Sequence, residues 1–246
     1  MKKQYLVVLL ICLILLTLSG CNTTGNEGES EIEKAVADFY QAGYDYEKII
    51  ETYDQDTDKY TKVILAGQVW QNPYKEHVKV ISSDDEYLWE EIFYEKGDDA
   101  DTVDSYVLSK DGWVSQKVTQ NRPYGYGKEL QYQLDREETI DGEAVEVYTA
   151  EYTDNIAEAF QIQEDLTYTV KQEYYLDKDD GILVRVVTDL ADMNKKVAIA
   201  NDMSANGSTL AEAEKNSEQI AGLQQKEILN IYNYGNPTAI TWPDFK

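Results

Sequence analysis

His77 is the only imidazole in 246 residues, and the sequence holds two cysteines, Cys12 and Cys21. A Ser-His-Asp triad would depend wholly on His77, which sits in an alternating, strand-like run. Zinc would want His or Cys companions that the sequence does not supply. The 47 Asp and Glu make chance carboxylate pairs inevitable, so their number carries no weight for glycoside hydrolysis. Asp54-x-Asp56-x-Asp58 has the alternation of a calcium loop. It lacks the glycine at the sixth position, however, and puts Leu65 where the bidentate glutamate belongs. Asp177-Lys-Asp179-Asp180-Gly181 has its glycine one position early and Thr188 at the twelfth place. No glycine-rich loop cradles a phosphate. The residue types therefore point away from catalysis, from a metal and from any cofactor.

Cys21 has a different chemistry. Lys2 and Lys3 precede an apolar run from Tyr5 to Leu18, too short and wrongly flanked for a membrane span. The run ends in Leu18-Ser19-Gly20-Cys21, which resembles the lipobox of bacterial lipoproteins. That resemblance implies cleavage before Cys21, which becomes the diacylglyceryl-modified (palmitate-type) first residue of the mature protein. It also implies a bacterial cell membrane location, on the extracytoplasmic side, with the bilayer as partner through acylated Cys21. Two or more acyl chains give stable attachment where one does not. The implied organisation is a signal peptide over 1–20, a lipidated Cys and flexible Gly/Ser/Asn tether over 21–30, and a single domain over 31–246. The tether reaches on the order of 15–20 Å. With Cys12 removed and Cys21 acylated, no structural disulfide is available.

Charge and composition narrow the function further. The sequence has 22 basic residues against 47 acidic ones, a net charge of -25, and cleavage would remove two lysines and no acid. A nucleic-acid partner needs a basic face, so that class is excluded. Anionic lipid would repel the soluble part, leaving attachment to the acyl anchor. The 20 tyrosines, against 4 tryptophans and 4 phenylalanines, argue for a folded chain rather than an acidic tail. Tyrosine serves equally as a half-buried strand residue and as a contact residue in loops.

The elements that must position these residues are mostly strands. Ser30 and Glu33 form a capping box for a helix over 31–43, with Ile32, Val36, Phe39 and Tyr40 on its apolar stripe and Gly43 at its end. Tyr46, Ile49, Ile50 and Tyr53 suit a second short helix over 46–53. β-Branched and aromatic runs follow at 61–71, 74–82, 86–95, 103–109, 113–120, 128–139, 143–150, 167–177 and 182–190. Asp111-Gly112, Asp141-Gly142 and the turn ending at Gly181 are hairpin signals, so the strands are antiparallel neighbours. Residues 151–164 read as an interruption. Residues 209–221 read as a helix capped by Thr209 with Glu212, 223–233 as the last strand, and the remainder as an extended tail.

Several of these stretches resemble the LolA/LppX-like lipoproteins, a superfamily of outer-membrane lipoprotein carriers, LppX-type lipid binders and RseB-like sensors. Residues 46–53 are similar to its N-terminal helix, VILAGQVWQNPYKEHVKV to its first strand pair, YYLDKDDGILVRVVT to a later hairpin and EILNIYNYGNPTAITWPDF to its last strand and tail. The resemblance covers roughly residues 32–245 and is weakest at 151–164 and 191–221. It implies an α+β fold: a single strongly curved antiparallel β-sheet, a half-open barrel, with helices over its concave face. It carries over no catalytic residue. It implies a membrane-anchored lipoprotein that binds or carries an apolar ligand, with lipid as one candidate. Strand alternation places Leu65, Val69, Val78, Val80, Leu88, Ile92, Tyr94, Val107 and Trp113 inward, as a cavity lining or as a packed core. Trp70, Trp89 and Phe93 take the other phase unless a bulge shifts the register. The alternative is an envelope-sensing or protein-interaction module that uses Tyr124 and Tyr126 of the loop NRPYGYGK, with an envelope protein as partner.

Overall fold

A computed structural model of the chain describes residues 30–54, 57–83, 89–97, 102–120, 122–220, 222–243 and 245. Residues 1–29, Cys21 among them, and Leu88 lie outside the described residues.

Among the described residues eleven strands form one antiparallel sheet in the order β6-β5-β4-β3-β2-β1-β11-β10-β9-β8-β7. They are β1 (Tyr44–Asp54), β2 (Lys59–Gln71), β3 (Tyr74–Ser83), β4 (Trp89–Lys96), β5 (Thr102–Ser109), β6 (Gly112–Thr119), β7 (Gln133–Ile140), β8 (Glu143–Asn155), β9 (Thr167–Asp177), β10 (Leu183–Asp189) and β11 (Gln225–Tyr232). The Asp-Gly turns close the β5–β6 and β7–β8 hairpins, with Ser109 opposite Gly112 and Ile140 opposite Glu143. The expectation of a strongly curved half-open barrel is corrected here. The strands run in one open order whose ends, β6 and β7, pair only inward. The architecture is an open antiparallel sheet with flanking helices.

Among the described residues three α-helices accompany the sheet: α1 (Glu31–Phe39), α2 (Ala191–Asn206) and α3 (Leu210–Ser217). Helix α1 starts at the expected capping box: Ser30 Oγ accepts from the Glu33 amide at 3.4 Å, and Glu33 accepts from the Ser30 amide at 2.7 Å. It stops at Tyr40 rather than at Gly43. Thr209 and Glu212 make the same reciprocal cap for α3. The helix expected over 46–53 is instead the sheet-central strand β1, bonded to β11 on one side and β2 on the other. Its helical spacing is an accident of having apolar residues on both faces: Tyr44, Tyr46 and Ile50 on one, Ile49 and Tyr53 on the other. Helix α2 carries no apolar stripe, because Val197, Ala198, Ile199 and Ala200 are all buried and cover every side of one turn.

The face that receives the helices is called the front. It carries Tyr44, Tyr46, Leu65, Val69, Val78, Tyr174, Leu176 and Val186 in one core with Ile32, Val36 and Phe39 of α1. Helices α2 and α3 close a second core over Tyr168 and Val170 at one end of β9. A smaller core on the back joins Val145, Val147, Tyr175 and Val187. The back also carries the tail. Asp45 accepts from the amide and hydroxyl of Thr238 at 2.8 and 2.5 Å, Trp70 Nε1 donates to the Thr238 carbonyl at 3.1 Å, and Phe245 stacks on Tyr106 at 4.1 Å.

Gly67 of β2 marks the tightest spot on the front. A Cβ there would lie 2.4–2.6 Å from atoms of the Tyr46 ring, which rests on the strand backbone. Gly67→Ala should therefore lower stability by about 1–3 kcal/mol through overpacking. Urea unfolding followed by circular dichroism measures this, and an unchanged midpoint would mean that the ring yields at no cost.

Candidate functional site

Alternation along β2–β5 places a block of apolar side chains on the front. Leu65 faces Val80 across the β2–β3 ladder, and Val78, Ile92 and Val107 follow one another across β3, β4 and β5. Leu65, Val69, Val78 and Ile92 are buried, while Val80, Tyr94 and Val107 are half-buried. Trp113 lies on the opposite face. The two-residue turn sets Ser109 against Gly112, so Trp113 stands opposite Leu108 instead of Val107 and shares a cluster with Phe93, 5.8 Å away. Phe93 and Trp70 take the back as expected. Trp89 joins the front core because the β4–β5 register shifts between Trp89 and Glu91.

The tyrosines do more on the front than fill it. Burying a phenol demands a partner for its hydroxyl. Tyr46 Oη donates to Glu76 Oε1 at 2.8 Å, and the Tyr74 hydroxyl donates to Glu76 Oε2. Tyr174 Oη donates to Gln172 Oε1 at 2.9 Å. Burial first, and the Glu76 charge second, push the Tyr46 and Tyr74 phenols well above their ordinary value. Nearer the middle, Lys48 Nζ lies 3.4 Å from Glu227 Oε2.

The segment carrying Tyr124 and Tyr126 is not a free loop. It links β6 at one edge of the sheet to β7 at the other and crosses the front on the way. Gln172 Nε2 donates to the Tyr124 carbonyl at 3.2 Å, as does Tyr40 Oη at 3.4 Å. Tyr126 meets the Tyr40 ring edge-on at 5.0 Å, with the Arg122 guanidinium over its own ring. Gly125 takes φ +82°, and a Cβ there would meet Gln172 Oε1 at 2.8 Å. The glycine is needed for both reasons. Sequence reasoning missed this lock because Gln172 and Tyr40 are distant in the chain.

The residues weighed for catalysis are occupied otherwise. His77 lies on the back, with Nδ1 2.9 Å from Gln68 Oε1 and Nε2 2.6 Å from Glu91 Oε1, its ring stacked on Phe93 at 4.3 Å. Among the described residues no hydroxyl is a hydrogen-bond partner of His77. Asp177 Oδ1 accepts from the amides of Asp179 and Asp180 and so shapes its own turn. Asp56 lies outside the described residues. Among the described residues no group of three or more His, Cys, Asp or Glu is placed to hold a metal. An open hollow of about 780 Å³ lies beside Asp154, Glu158 and Asp165, and one of about 380 Å³ lies beside Lys128 and Glu151. Both are away from the β2–β5 block.

No protein-family model matches the chain, and no curated protein sequence matches it. Solved structures do. The chain is similar to the Mycobacterium tuberculosis lipoprotein LppX, with 14% identity over 86% of this chain and 96% of that one and a TM-score of 0.41. It is similar to LprF from Mycobacterium bovis, with 11% identity over 85% and 94% and a TM-score of 0.42. A LolA superfamily protein from Nitrosomonas europaea matches with 14% identity over 88% and 96% and a TM-score of 0.30. Likenesses at this level transfer no ligand and no role to this chain.

The buried phenols have a measurable consequence. Tyr46, Tyr74, Tyr124 and Tyr174 are all pushed well above the ordinary tyrosine value, chiefly by burial. Tyr152 and Tyr175 are pushed up to about 12, burial again leading. Since their folded pKa values exceed the unfolded value of about 10, the stability they contribute is whole below about pH 10 and drains away above it. Spectrophotometric titration at about pH 11 should find far fewer ionised tyrosines in the native chain than in concentrated guanidinium. Equal ionisation in the two would contradict the burial.

Proposed function

We propose that this chain is a non-enzymatic, acyl-anchored extracytoplasmic lipoprotein that holds an apolar ligand, of which lipid is the best-fitting class, against the front of β2–β5. The signal peptide over 1–20, the anchor at Cys21, the tether to residue 30 and one domain over 31–246 belong to this reading. It places the chain on the outer side of a bacterial cell membrane with the bilayer as its partner. The single observation that carries it is the distribution of cover. The front of β2–β5 is an apolar block four strands wide, with Leu65, Val69, Val78 and Ile92 buried and Val80, Tyr94 and Val107 half-buried beside them. The described helices seat mainly on β9, β10 and β11, at the other half of the sheet. The area a ligand would take from water there is what the half-buried Val80, Tyr94 and Val107 still expose, worth about 25 cal/mol per Å². The interaction-module reading is weaker, because Tyr124 and Tyr126 are spent on the crossing.

Two measurements test this. Native mass spectrometry of the full chain released from bacterial membranes should show an added mass that leaves with organic solvent and proves to be a lipid. Val78→Asn should cut that occupancy several-fold while the chain still folds. A bare mass together with no uptake from a panel of lipids would overturn the ligand reading. Separately, Cys21→Ser should abolish incorporation of radiolabelled palmitate and release the chain from the membrane fraction. Continued labelling would overturn the anchor.

A further inference from the structure

Glu76 puts a carboxylate on the apolar block with no cation paired to it among the described residues. It stands on β3 between Val69 of β2 and Tyr94 of β4, half-buried. Both of its oxygens accept from phenols, those of Tyr46 and Tyr74. The rings of Tyr44 and Tyr46 lie 6.1 Å apart beside it, and the Glu76 charge acts on the Tyr44 and Tyr94 phenols. Among the described residues no Lys, Arg or His pairs with Glu76; its hydrogen bonds are to neutral hydroxyls. Lys48 shares the face but stands on β1, two strands away, and is paired with Glu227.

Two phenol donors satisfy about half of the roughly four lone-pair sites of a carboxylate. They do not supply the opposite charge that makes its partial burial tolerable. Tyrosine rings add negative potential from their faces, and they attract cations when desolvated. A net charge of -25 draws cations toward the chain and repels anions. The missing component is thus a positive group, and the apolar block beside it takes whatever that group is attached to.

We propose that Glu76, with Tyr44, Tyr46, Tyr74 and Tyr94, receives the ammonium head of an amphiphile whose apolar part lies along β2–β5. This rests on the apolar-ligand reading above and adds the charge of the ligand. Glu76 supplies the countercharge, Tyr46 and Tyr74 fix its carboxylate, and Tyr94, the half-buried ring, offers its face.

The test uses the acylated full chain in a non-ionic amphipol and equilibrium dialysis of four probes below their micelle concentrations. These are decyltrimethylammonium, decyl sulfate, decyl maltoside and tetramethylammonium. Decyltrimethylammonium should bind about 10-fold more tightly than decyl maltoside, a margin of the size a desolvated cation–aromatic and ion-pair site supplies. Decyl sulfate should bind least. Glu76→Gln should bring the cationic probe to the level of the neutral one. Tyr94→Phe, which keeps the ring, should leave the preference intact, and Tyr94→Leu should reduce it, so the pair reads the ring even if the Glu76 variant fails to fold. Tetramethylammonium binding as tightly as the tailed probe would overturn the amphiphile and leave a site for a free cation. Equal binding of all three decyl probes, insensitive to Glu76→Gln, would overturn the inference and leave the apolar-ligand reading standing. Binding of none of them would overturn both.

Discussion

Everything on the front depends on the seating of β11. This strand arrives late in the chain yet lies at the middle of the sheet, hydrogen-bonded to β1 on one side and β10 on the other. Without it, β1–β6 and β7–β10 are two separate ladders, each with a raw edge whose amides and carbonyls need partners. Its side chains serve both faces. Ile231 belongs to the front core and Ile228 packs on the back core. Asn230 accepts from Arg185 Nε of β10 at 2.6 Å and donates to Glu47 of β1 at 3.2 Å, so one amide laces the two halves together. The apolar block on β2–β5 and the helix-covered half on β9–β11 form one surface only because of this join.

The preference for tyrosine over phenylalanine has its reason in that surface. A wide front made of phenylalanine would bury without conditions, and it would pack in many ways. Phenols impose a geometry, because each buried hydroxyl must find an acceptor. Tyr174 finds Gln172, whose amide also reaches Thr188 and the crossing segment, and Tyr46 finds Glu76. The hydrogen bonds fix which ring sits where, and the crossing between the two sheet edges is fixed by the same groups.

Local signals in the sequence were readable where the physics is local. Both capping boxes, at Ser30 with Glu33 and Thr209 with Glu212, and the Asp-Gly hairpin turns involve residues a few positions apart, and the structure has all of them. Residues 46–53 misled because a strand buried on both faces can mimic helical spacing. Residues 191–206 escaped because a helix buried all round shows no stripe. The order of the sheet was out of reach, since the place of β11 is decided by β1, a strand near the other end of the sequence. The openness of the sheet was out of reach for the same reason. Of the front residues, Leu65, Val69, Val78 and Ile92 followed from alternation. The face of Trp113 was countable across the turn at Lys110–Asp111, while that of Trp89 depended on a register shift with no sequence mark. Glu76 and Tyr74 sat in plain view in the alternation of β3, but Tyr46, the second phenol on Glu76, comes from β1.

The two ends of the open sheet are not alike. Strand β7 carries Asp135, Glu137 and Glu138 and a register shift between Leu134 and Arg136, both of which discourage another strand from joining. Strand β6, Gly112–Thr119, has Lys117 as its only charged side chain and leaves Val114 55% exposed. In dilute buffer the net charge of -25 holds copies apart whatever their edges look like. Salt shortens that repulsion to about 10 Å or less at physiological strength and above. The colloidal behaviour of this protein is therefore polarised: as ionic strength rises, its first contacts with its own kind form along β6, and a charge placed at Val114 is the economical way to keep concentrated solutions clear.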